Sequence, residues 1–134
     1  MGRVIGIDFG LKRIGLAISD ANCKIALPLE TVTTGIEGVC KVIESRKKEI
    51  DSIVIGLPLL LSGIEGDMAK LVKNFGEKLF GRLQIPIQYI DERLSSKATD
   101  SALKEMQMKR KERSKIIDRG SAALLLQMYL DLMR

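Results

Sequence analysis

The segment "DSIVIGLP", Asp51 to Pro58, constrains the fold more than any other stretch of the chain. Its apolar centre shows no alternation and ends on a Gly-Leu-Pro breaker, which fits a short β-strand buried on both faces. A strand of that kind needs a packed layer on each side of its sheet, and the flanking sequence supplies helices. Gly38 to Ile50 has helical spacing at Val39, Val42, Ile43, Arg46 and Ile50, and Asp67 to Leu83 repeats the pattern with Met68, Leu71, Val72, Phe75 and Leu79. After the loop "LLSGIEG" and this second helix, "PIQYI" reads as another short strand. Strands joined through helices run parallel, so this half of the chain predicts two βα units.

The N-terminal third predicts a different connection. Val4 to Phe9 and Ile14 to Asp20 are apolar segments joined by "GLKR", the length and composition of a hairpin. Lys24 to Thr33 carries residues for a third strand, which Pro28 assigns to an edge. The expected fold is therefore α/β: a mixed five-stranded sheet, an antiparallel meander plus βα units, flanked by helices in three layers. Downstream, Ser95 or Ser96 caps a helix running to about Met106, the basic segment "KRKERSK" intervenes, and Ile116 to Met133 forms a final helix. At 134 residues, with no internal repeat or linker, residues 1–134 read as one domain.

The absence of histidine removes the commonest general base, the commonest transition-metal ligand and every Ser-His or Cys-His nucleophile system. Any hydrolysis must run on carboxylates, lysine or a hard metal. Cys23 and Cys40 lack metal-site spacing and read as reduced packing residues. The longest apolar run, Gly56 to Leu61, is too short to span a bilayer, and Asp8 interrupts the N-terminal apolar segment where a signal peptide needs continuity, so the expected location is cytoplasmic. A net charge of +5 suits a polyanionic partner.

Asp8 stands inside "VIGIDFG", where an unpartnered carboxylate would be costly. It lies near the carboxyl end of the first strand, the rim where sites form in sheets of this kind. Asp91 and Glu92 lie just past "PIQYI" at the equivalent place, and spacing alone does not choose between them. In the final helix Asp118 shares a stripe with Ala122, Leu125 and Tyr129, so it should face the sheet. Asp8, Glu92 and Asp118 converging on one edge would repel one another unless a cation sat among them, and magnesium suits a small carboxylate set. Structural alternatives are a turn cap or a pairing with Lys12 or Arg13 for Asp8, and a helix-dipole charge for Asp118. Lys12 and Arg13 at the hairpin tip, Arg93 beside the acid, and Lys109, Arg110, Lys111, Arg113 and Lys115 are candidate phosphate-backbone contacts, although a charge run can equally be a solvated face. The glycines at 6, 10 and 15 do not form a dinucleotide fingerprint, and no Walker sequence is present.

The motifs "GIDFGLKRIGLAISD", "IVIGLPLLLSGIEG", "DERLSS" and "IDRGSAALLLQMYL" together resemble the YqgF family, also called RuvX, over almost the whole chain. The resemblance implies a ribonuclease-H-like fold and a nuclease that depends on Mg2+ or Mn2+. It links that nuclease to 5′-end maturation of pre-16S ribosomal RNA, and the family's acids fall on Asp8, Glu92 and Asp118. Branched DNA at a Holliday junction is the alternative substrate. A non-catalytic nucleic-acid or ribosome-associated factor is a third reading, and an ATPase-type phosphate loop at "IGIDFG" is a fourth; monomer and homodimer are both compatible with the sequence. The chain departs from the family at Leu60-Leu61-Ser62-Gly63, where a polar loop is usual, at Ser95-Ser96, where threonines are usual, and at Gly120 and Ser121, where apolar residues or alanine are common.

Overall fold

A computed structural model of the chain describes residues 2–60, 62–92 and 110–133, with the side chains of 110–120 outside that description. Three strands open the fold: β1 (Arg3–Asp8), β2 (Arg13–Ser19) and β3 (Ala26–Thr33). The hairpin between β1 and β2 is antiparallel with Asp8 opposite Gly15, and β3 pairs antiparallel with β2. Pro28 lies at a register shift in β3, where a residue without an N–H does least harm to the ladder. As expected, β3 is an edge strand.

Helix α1 (Ile36–Glu44) buries Val39, Cys40 and Ile43 and is followed by a short 3-10 turn, Lys47–Glu49. The expected helix to Ile50 is thus too long at its end. Ile50 instead begins β4 (Ile50–Leu57) and pairs with Arg3, gaining a sheet ladder while its side chain stays buried. At the register shift beside that pair, the Asp51 carboxylate accepts the Gly2 N–H at 2.6 Å. Helix α2 spans Asp67–Leu83, as the spacing predicts, but its buried stripe is Ala69, Val72, Phe75, Gly76, Leu79 and Leu83, and Leu71 is exposed. β5 (Ile87–Asp91) pairs parallel with β4. The last helix, α3, spans Arg110–Leu132. The basic segment expected to intervene before a helix at Ile116 therefore belongs to the helix from Arg110 onward, since lysine and arginine are good helix formers. The expected helix from Ser95 or Ser96 lies outside the described residues.

The sheet order is β3-β2-β1-β4-β5, mixed as expected. Strand alternation sorts the side chains onto two faces. Ile5, Ile7, Ile14, Leu16, Ile53 and Ile55 pack against α1 and α2, while Val4, Ala17, Val54 and Ile90 pack against Ala122, Leu125, Leu126 and Leu130 of α3. Both cysteines are free thiols; Cys40 belongs to the core. Among the described residues, no helix is long and apolar enough to cross a membrane.

α3 sits close to the sheet over Gly6, which has no side chain. A methyl group at Gly6 would come within 2.7 Å of Leu126 Cβ and 3.2 Å of the Ala122 carbonyl oxygen, and one at Gly56 would meet Leu125 Cδ1 at 2.5 Å. Gln127 fixes the same helix to the sheet edge by accepting the Ala26 N–H at 2.9 Å and donating to the Lys24 carbonyl at 2.8 Å. Gly6→Ala is expected to destabilise the fold by about 1–3 kcal/mol through overpacking against backbone. Gly15→Ala, whose nearest contact would be an ordinary 3.7 Å from Ala122 Cβ, is expected to cost less than about 1 kcal/mol. Urea unfolding of the two variants checks the pair.

Candidate active site at the carboxyl rim of the sheet

β1 is the central strand, flanked by β2 and β4, and Asp8 is its last residue. Counting back along the strand, Asp8 shares a face with Gly6 and Val4, so its half-buried side chain lies on the α3 side. Opposite it in β2 stands Gly15, which puts no side chain in its way. Ser121 of α3 donates its hydroxyl to Asp8 Oδ2 at 2.5 Å.

The same parity decides between Asp91 and Glu92. Asp91 shares its face with Ile87 and Tyr89, which pack on the α1 and α2 core, whereas Glu92 shares a face with Ile90, on the α3 core. β4 separates β5 from β1, a gap of roughly 9–10 Å between strand axes. Gly56 of β4 lies beneath that gap: a Cβ there would be 3.6 Å from Glu92 Cδ. The longer glutamate passes over Gly56, reaches across β4 and hydrogen-bonds with Asp8. Burial first, then this hydrogen bond and the Asp8 charge, push the Glu92 carboxyl up to about 8.

Two carboxyl groups thus meet in a half-buried niche under a hydroxyl donor. Among the described residues, the partners of Asp8 are Ser121 and Glu92, and neither Lys12 nor Arg13 makes a salt bridge with it. This arrangement differs from the alternative in which Asp8 serves the hairpin cations. Hard oxygen donors whose like charges resist joint ionisation are suited to a divalent cation, which would favour the charged form of both. No group of three acidic or thiol ligands occurs among the described residues. Asp118 lies in α3 one turn before Ala122, and its side chain is outside the description.

The candidate phosphate contacts fall into two groups. Lys12 and Arg13 are exposed on the hairpin that follows Asp8, at the same rim. Arg110, Lys111, Arg113 and Lys115 lie in the first turns of α3, whose start is roughly 16 Å up the helix axis from Ser121. Arg93 and Lys109 fall outside the described residues. The loop after β4 is closed by a Leu59–Glu65 bridge and a Leu60 N–H to Ile64 carbonyl bond of 3.0 Å, with Gly63 at φ 86 making the turn. In the sequence Ser121 stands out only as a departure within the final helix, with nothing to place it beside Asp8. Its position three residues after Asp118, at the edge of the apolar stripe, was the available signal.

The profile of the family described as "RuvX: Holliday junction resolvase" matches residues 2–132. The chain belongs to the RuvX family. Among curated relatives, the "Putative pre-16S rRNA nuclease" of Protochlamydia amoebophila is 45% identical, over 96% of this chain and 93% of that one. The relative of the same name from Endomicrobium trichonymphae is 40% identical, over 98% of this chain and 97% of that one. Among solved structures, Thermus thermophilus RuvC in complex with Holliday junction substrate aligns with a TM-score of 0.58 at 14% identity, covering 99% of this chain and 96% of that one. Another Thermus thermophilus RuvC structure gives 0.56 at 16% identity, covering 98% and 95%. The RuvX chain therefore has the ribonuclease-H-like fold expected from its motifs.

The niche makes a pH prediction for the metal-free protein. Glu92 holds its proton more tightly folded than unfolded, so its contribution to stability is full below the ordinary value of 4.5 and is lost as the pH rises toward about 8. In chelator, Glu92→Gln should flatten the fall in stability across that window. Asp8→Asn should lower the Glu92 midpoint only part of the way, because burial is the larger cause. Carboxyl-carbon NMR titration reads the midpoint directly; an ordinary Glu92 midpoint in the wild type would contradict the geometry.

Proposed function

We propose that this RuvX-family chain hydrolyses phosphodiester bonds in precursor 16S ribosomal RNA, in the cytoplasm, with Mg2+ or Mn2+ held by Asp8, Glu92 and Asp118. The observation that carries the reading is the meeting of Asp8 and Glu92 over Gly56 at the carboxyl rim. Helical register supports Asp118 as the third ligand, since it precedes the sheet-facing Ala122 by one turn. The names of the curated relatives support the RNA substrate.

When bound, the divalent cation supplies Lewis-acid polarisation of the phosphate and a more acidic water. The chain's own residues do the rest. Asp8 and Glu92 fix the site at the rim, with no histidine needed as a base. Lys12 and Arg13 lie beside the rim, where they can neutralise and orient phosphates flanking the scissile bond. Arg110, Lys111, Arg113 and Lys115, with Arg93 and Lys109, extend that contact along the nucleic acid as backbone clamps without base readout. A single domain, as monomer or homodimer, suffices for this chemistry.

Branched DNA is the second reading, favoured by the family's printed description. Cleavage of end-labelled precursor RNA and of a four-way DNA junction, each with Mg2+, Mn2+ or chelator, separates the two. Wild type is expected to cut RNA only with metal, and Asp8→Asn to lose roughly 10³-fold in rate. Cutting of the junction in preference to RNA would reassign the substrate; binding without cleavage of either would make the chain a non-catalytic factor. Replacing Lys12 and Arg13 by alanine should reduce the slope of log affinity against log salt by about 1.4 on single-stranded RNA, as expected for two lost phosphate contacts. An unchanged slope would return both residues to the solvated surface.

A further inference from the structure

A serine hydroxyl inside a helix commonly bonds back to the carbonyl one turn earlier. Ser121 instead directs its proton away from its own helix and onto Asp8 Oδ2, 113 positions away in the sequence. The close seating of α3 makes this possible. Ala122, the next residue, would lie 3.7 Å from a Cβ at Gly15, and its carbonyl oxygen 3.2 Å from one at Gly6. The helix backbone is therefore held at a distance that a side chain with a single bond from Cβ to its hydroxyl can span.

An aspartate side chain has two torsions, and the terminal one has no strong rotamer preference. With Oδ2 committed to a short bond with Ser121, that rotation is restricted, and with it the range of directions open to Oδ1. Partners of this kind, one bond behind a ligand, set ligand orientation, and their loss typically weakens metal binding by 10–100-fold.

We propose that Ser121 is a positioning residue for Asp8, orienting its carboxylate toward a divalent cation. This rests on the reading of Asp8 as a metal ligand. The inference concerns this chain's own serine: alanine at 121 would leave the helix intact, and with it the fold, but would remove the bond that holds Oδ2 and leave Asp8 its Glu92 contact alone.

The test uses Mn2+ binding to the full chain, followed by calorimetry and by the electron paramagnetic resonance signal of the free ion, alongside urea unfolding. Ser121→Ala is expected to bind Mn2+ 10–100-fold more weakly while still unfolding in one cooperative transition. Ser121→Thr, which keeps the hydroxyl, should restore affinity to within about threefold of wild type, on the same reasoning. In the Asp8→Asn background, Ser121→Ala should add no further loss, because a positioning residue has no effect once the group it positions is gone. Wild-type affinity in Ser121→Ala overturns the proposal while leaving Asp8 as a ligand. No Mn2+ binding by the wild type, or equal binding by wild type and Asp8→Asn, overturns the metal reading and the proposal together. An additive loss in the double variant would also overturn it, assigning Ser121 a separate role.

Discussion

The seating of α3 on the sheet is the contact on which the site depends. Apolar burial of Ala122, Leu125, Leu126 and Leu130 against Val4, Ala17, Val54 and Ile90 drives it. Gly6 sets its closeness, because a Cβ there would meet Leu126 Cβ at 2.7 Å and the Ala122 carbonyl oxygen at 3.2 Å. That closeness lets Ser121 meet Asp8, and Glu92 crosses an intervening strand to reach the same carboxylate.

The niche formed this way holds two carboxyl groups together. Burial and the neighbouring carboxylate both favour a proton on Glu92, whose affinity for it is raised toward neutrality. Like charges held this close disfavour joint ionisation, and perturbed carboxyl groups of this kind cluster at functional sites. Folding stability comes from elsewhere, chiefly from the apolar layers on the two faces of the sheet. The acids stand at the rim, beyond those layers, where a long polyanion can approach without opening the core.

Much of the fold was legible because its signals are local. The hairpin of β1 and β2, the edge position of β3 with Pro28 and the full extent of α2 follow from alternation, breakers and helical spacing. Failures came where a local pattern competed with a distant partner. Ile50 fits the apolar stripe of a helix, but pairing with Arg3 recruits it into β4. The basic residues from Arg110 to Lys115 look like a break before the final helix and are the first turns of α3. Leu71 has helical spacing for the core, yet α2 turns a slightly different face to the sheet.

By itself the sequence determined the order of strands and helices, the lack of any histidine chemistry, and Asp8 at the carboxyl end of the first strand. These follow from residue type and short-range periodicity. Only the tertiary structure decided that Glu92 rather than Asp91 faces Asp8 and that Ser121 supplies a hydroxyl. Each of those depends on which face of a strand meets which face of a helix, across separations of up to 113 residues. No local pattern carries that information, because register between distant elements is set by packing of the whole.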